Sequence, residues 1–160
     1  MKRIIVLVVG LLMLQATPAS AAPDVVRQRT CSAGARSRLE LTDIGDRIKV
    51  RFEVHQSPVG HAWRIVLRHG VVDLGGINRG QVKFEGTRVA SENGELAVQR
   101  LVRDLEGGLA GGDGFVAKAV NRQTGQSCRV KAAIAADGNP FPREALRGPA
   151  RCHAQIACGA

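Results

Sequence analysis

From Arg47 to His55 hydrophobic and polar side chains alternate without a break: Ile48, Val50, Phe52 and Val54 share one face, Arg47, Lys49, Arg51, Glu53 and His55 the other. A period of two marks a strand with one face buried and one wet. The pattern recurs along the chain. Leu39 and Leu41 alternate with Arg38, Glu40 and Thr42, and Trp63, Ile65 and Leu67 with Arg64, Val66 and Arg68. Val82 and Phe84 alternate with Lys83 and Glu85, and Phe115, Ala117 and Ala119 with Val116, Lys118 and Val120. Cys128, Val130, Ala132 and Ile134 make the last such run. Leu96 and Val98 follow Asn93-Gly94, a dipeptide that tolerates positive φ and predicts a hairpin turn. Arg100 interrupts their alternation and predicts a bulge that returns Leu101 or Val102 to the core.

Turns and loops punctuate these runs. Asp43 to Asp46 reads as a turn, Gln56 to His61 as a loop, and Asn121 to Gln126 as another. His69-Gly70 predicts a turn into a short segment from Val71 to Leu74, and Asp104 to Gly114 a glycine-rich loop. Seven or eight short strands at regular spacing predict an all-β fold, an antiparallel immunoglobulin-like sandwich. One-sided alternation excludes a parallel sheet buried on both faces. Beyond Ala135 the character changes: Asp137-Gly138-Asn139, Pro140, Pro142 and Pro149 predict an irregular tail. The sandwich is expected over 29–135 and the tail over 136–160.

The first residues follow a different rule. Lys2 and Arg3 precede an apolar run, Ile4 to Leu14, and Pro18 and the small residues Ala19 to Ala22 follow it. This is the layout of a secretory signal peptide over 1–22 with an Ala19-Ser20-Ala21 cleavage site, the mature chain beginning near Ala22 or Pro23. As a helix the run spans about 16 Å, against roughly 30 Å of hydrocarbon, and no second run of membrane length follows. The chain is expected to be secreted and extracellular, with no transmembrane segment after cleavage.

Export changes how the cysteines read. Cys31, Cys128, Cys152 and Cys158 are an even set in a small exported chain, which points to disulfides. Three pairings are open. Cys31 before the first strand-like run and Cys128 inside the last favour a Cys31–Cys128 bridge across one domain. Cys152 and Cys158 would then close a small loop in the tail. The competing reading, a metal held by Cys152, His153 and Cys158, lacks a fourth ligand at a recognised spacing.

Order and spacing also carry a resemblance. Cys31 ahead of the run Ile48 to Val54, Gly60-His61-Ala62-Trp63-Arg64 leading into Val66-Leu67-Arg68-His69, and later Leu101-Val102, Ala117 to Asn121, Thr124-Gly125 and Cys128-Arg129 stand in sequence. Together they resemble a family of small secreted actinobacterial proteins with an immunoglobulin-like or fibronectin-III-like sandwich. The resemblance covers about Thr30 to Ile134 and implies fold and location; it brings no reaction or ligand.

Candidate chemistry is thin. Gly112, Gly114 and Ala117 fit a dinucleotide-loop spacing, but a strand follows where a helix N-terminus is needed. Gly111 to Gly114 is a lone copy of a calcium-repeat-like run that works only in stacks. No G-x-S-x-G or H-E-x-x-H occurs, and His55, His61 and His69 are not expected to converge. No catalytic residue, metal or cofactor is therefore assigned. The chain is only 3% aromatic. Phe52, Trp63, Phe84 and Phe115 fall on inner faces, and Phe141 alone is expected to be available for stacking, which argues against a specific nucleic-acid site.

Charge adds one feature. The formal net charge is +9, or +7 once the two cations Lys2 and Arg3 are removed. If the Trp63 strand shares a sheet with the last two strands, Arg64, Arg68, Lys118, Arg129 and Lys131 share its outer face with Val66, Val116 and Val120. The other sheet mixes Arg38, Arg47, Lys49 and Arg51 with Glu40, Glu53 and Glu95. The expected function is a non-catalytic binding module for an anionic cell-envelope component or an acidic protein. The rival readings are an extracellular protease inhibitor, presenting Gln56 to His61 or the Cys152–Cys158 loop, and an enzyme with an unrecognised site.

Overall fold

A computed structural model describes residues 24–73, 76–77, 80–105, 111–135 and 139–141. The expected signal segment and the Cys152–Cys158 loop lie outside these residues. Nine strands and one short 3-10 turn form the described part. They are β1 (Val25–Thr30), β2 (Arg36–Asp43), β3 (Arg47–His55), β4 (Ala62–Asp73), β5 (Gly76–Ile77), β6 (Gln81–Val89), β7 (Leu96–Arg103), β8 (Gly112–Asn121) and β9 (Ser127–Ala135). One antiparallel sheet runs β1-β2-β3-β7; in the other, β4 lies between β8, flanked by β9, and the β5 and β6 edge. The chain crosses between sheets after β3, β6 and β7, so β7 returns beside β3 and β8 beside β4. That is the connectivity of an immunoglobulin-like sandwich, an all-β fold.

Alternating inner rows fill the space between the sheets. Leu39, Leu41, Val50, Phe52 and Val54 face Trp63, Ile65, Leu67, Phe115, Ala117 and Ala119, all of them fully buried. The small alanines of β8 and β9 leave room for Trp63 and the two phenylalanines, the large-against-small complementarity that close packing needs. Cys31 and Cys128 are joined, with their Cα atoms 4.4 Å apart and 97 positions apart in sequence. The bridge ties the entry to β2 to strand β9, one sheet to the other.

Several local expectations give way. Asn93-Gly94 does not close a hairpin, because β6 pairs with β4 and β7 with β3. The turn carries the chain between sheets and docks on the loop after β3, where the Ser57 amide donates to the Gly94 carbonyl at 3.0 Å. No bulge forms at Arg100. β7 stays in register with β3, Val50 opposite Arg100 and Ile48 opposite Val102, so Arg100 occupies an inner-row position and Leu101 is 55% exposed. The irregularity lies instead between Leu67 and Arg68 against β6. Lys83 is the extra residue there, which puts Phe84 opposite Leu67 on the inner face and Val82 opposite Arg68 on the outer one.

His69-Gly70 makes no turn, and β4 runs through it to Asp73. Gly70 pairs with Gly114 and Val71 with Asp113, so the expected glycine-rich loop already belongs to β8 from Gly112. Glycine is required at Gly114, where a Cβ would stand 2.7 Å from Ile77. Residues 139–141 of the expected tail are also bonded to the sandwich: Ala135 donates to Asn139, Phe141 donates to Ala133, and Arg27 donates to the Phe141 carbonyl at 3.0 Å. Phe141 packs with Val72, Ile77 and Ala133 and is not free for stacking.

Candidate anion-binding face

Pairing in the second sheet fixes a grid of outward side chains. Across β6, β4, β8 and β9 one row reads Thr87, Arg64, Val120, Ser127; the next reads Glu85, Val66, Lys118, Arg129; the third reads Val82, Arg68, Val116, Lys131. Cations and valines therefore alternate in both directions over most of the face. Lys118 and Arg129 stand directly opposite each other, and Arg64 and Arg68 are diagonal neighbours of Lys118 through Val66. All five cations proposed from sequence are brought onto one surface. Arg64, Arg68, Lys118 and Arg129 are exposed, and the three valines are half-buried.

The surface is slightly concave. A depression of about 410 Å³ is lined by Arg64, Val66, Arg68, Val116, Lys118, Val120 and Arg129. A second hollow beside it is lined by Arg64, Glu85, Val120 and Arg122. Two of these residues were missed in the sequence. Arg122 continues the even-numbered row of β8 one step past the strand end, in a stretch whose sequence marks a loop. Glu85 lies on this face because β6 joins this sheet, and its carboxylate accepts from the Arg64 guanidinium. The surface is thus cationic with one acidic margin.

Like charges opposite each other in a sheet cost roughly 0.2–1 kcal/mol relative to neutral pairs. The Lys118–Arg129 pair carries that cost, since neither side chain meets a carboxylate among the described residues. The opposite sheet is arranged differently. Arg38 bridges Glu40 at 2.9 Å, Arg51 bridges Glu53 at 2.6 Å, and His55 meets Glu95 at 3.0 Å. The carboxylates of that face engage Arg38, Arg51 and His55, whereas Lys118 and Arg129 meet none among the described residues.

His55, His61 and His69 do not form a site. His55 is engaged by Glu53 and Glu95, and His61 lies 3.1 Å from the Asn121 amide. His69 is fully buried because it continues the inner row of Trp63, Ile65 and Leu67. Its Nε2 bonds to the Asp113 carboxylate and its ring stacks on Phe115 at 4.4 Å between centroids. Burial pushes the Asp113 carboxyl up. Hydrogen bonds with His69, with Asp104 and from the Leu105 amide outweigh it and hold the group below the ordinary carboxylate value. Both partners are enclosed, and the pair joins β4 to β8. No three His, Cys, Asp or Glu side chains among the described residues are placed to hold a metal ion. No described helix is long and apolar enough to cross a membrane. No known protein family, curated protein or solved structure matches the chain.

Proposed function

We propose that this is an exported, non-catalytic binding module that docks an anionic cell-envelope surface on the outer face of β4, β8 and β9. One observation carries the reading: like-charged Lys118 and Arg129 are paired directly across two strands, with Arg64 and Arg68 diagonal to Lys118. An anionic partner would relieve that repulsion, and the guanidinium forks match phosphate and carboxylate oxygens in bidentate geometry. The valines between the cations supply apolar contact that a purely charged surface lacks. The end-to-end disulfide supports export, because such bonds persist in oxidising compartments.

Binding to vesicles containing phosphatidylglycerol tests the proposal, with phosphatidylcholine vesicles and soluble polyphosphate as comparisons. Charge reversal at Arg68 and Arg129 to Glu is expected to weaken binding at least tenfold, since two direct contacts become repulsive. Reversal of Arg47 and Lys49 makes the same change in net charge on the opposite sheet and is expected to cost much less. Exposed charges are screened beyond about 8 Å at physiological ionic strength, so rising salt should weaken the native protein as well. Equal losses in the two double variants would assign the attraction to net charge and overturn the face.

A further inference from the structure

The two sheets end side by side on strands β7 and β6, and among the described residues nothing pairs with the outer edge of either. An unpaired edge presents a row of N–H and C=O groups ready to accept another strand. β7 spans eight residues, in even register with β3 and without a proline. The seam between the edges is built around Phe84, whose ring folds over Gly86 so closely that a Cβ there would stand 2.9 Å from it. Two guanidiniums lie over that one ring, Arg100 at 4.4 Å from the centroid and Arg88 at 5.0 Å. Each is braced by a neighbouring carbonyl, Arg100 on Gln99 at 2.7 Å and Arg88 on Thr87 at 3.0 Å. Neither meets a carboxylate among the described residues, in contrast to Arg38, Arg51 and Arg64.

Two positioned guanidiniums beside an open strand edge define a ligand: an extended peptide segment carrying a carboxylate. We propose that β7 accepts such a segment from a partner protein as an added strand. The pleat sets its pattern, since the side chain beside Arg100 turns into the seam and the next one, beside Leu101, turns outward. An acidic residue therefore lies against Arg100 and Arg88, and an apolar neighbour covers Leu101. Main-chain bonds supply affinity and the alternating side chains supply selection, as in other strand additions. This site is separate from the basic face, on a different edge of the molecule.

A fluorescent peptide of alternating valine and glutamate, matching β7 in length, is the probe, and anisotropy at physiological salt is the readout. The native protein should bind it and should bind the valine–lysine counterpart at least tenfold more weakly. N-methylation of every second peptide residue, on the edge that faces β7, should abolish binding, because it removes main-chain donors and leaves the charge intact. The variant R88Q/R100Q should weaken binding roughly tenfold, while R68E/R129E on the basic face should stay within about twofold. Undiminished binding of the N-methylated peptide, or equal losses in the two double variants, would overturn the proposal. The N-methyl comparison uses the native chain, so it decides the matter even if R88Q/R100Q does not fold. A homodimer that competes with the peptide would give the edge to a second copy and would also overturn it.

Discussion

Asp113 shows how much a single position can depend on what lies opposite it. In sequence it is a polar residue among glycines, which reads as loop, and nothing local relates it to His69. Pairing of β4 with β8 encloses both and leaves each as the other's partner. The Asp113 carboxyl is held below its ordinary 3.8, so folding favours its ionised form. Its stabilising contribution is present above that ordinary value and is lost as the pH falls through the lower folded value. Asp113→Asn should cost about 2–4 kcal/mol near neutrality, because it weakens a buried pair, and should flatten the acid limb of the stability profile. Denaturant melts of both proteins across the acid range test this. Parallel acid limbs would place the acid sensitivity elsewhere.

Elements show which signals a single strand can carry. β3 was legible because it lies inside its sheet between β2 and β7 and the facing sheet covers its inner face, so every second residue must be apolar. β1 was not. Its inner-row positions after Val25 are Arg27 and Arg29, which face the margin of the sandwich opposite Leu39 and Ser37, so no alternation survives. β6 misled for a related reason: a bulge shifts its phase, and half of its inner row is Gly86, beneath the Phe84 ring, and Arg88, over it. Asn93-Gly94 was right about the backbone at Gly94 alone and wrong about the topology. Gly94 does take positive φ, at 68°, but a turn residue cannot state which strands it joins. Gly94→Ala combines an unfavourable backbone with a Cβ placed 2.5 Å from the Ser57 carbonyl. It should destabilise by about 1–3 kcal/mol, seen as a lower midpoint with an unchanged denaturant slope. A neutral outcome would mean the β6–β7 crossing can shift without disturbing either sheet. The placement of the basic face was legible along β4, β8 and β9, where alternation is clean, and was misjudged at its margins, Val82, Glu85 and Arg122.

For the whole molecule, the bond between Cys31 and Cys128 matters most through what it does to the path of a pull. Tension applied at the two ends of the sandwich can peel β1 from β2 and β9 from β8. It then reaches the sulfur–sulfur link and bypasses the chain between. The segment between the two cysteines, which stand 97 positions apart, never bears load while the link is closed. Reduced, the same segment could pay out roughly 330 Å of extended chain. Single-molecule stretching should therefore show no large extension step for the oxidised protein and one of about that length after a thiol reductant. A full-length step without reductant would mean the two cysteines are not joined. A module that grips an envelope by one face while its ends are tugged would behave as a rivet under oxidising conditions and as a slack tether once reduced.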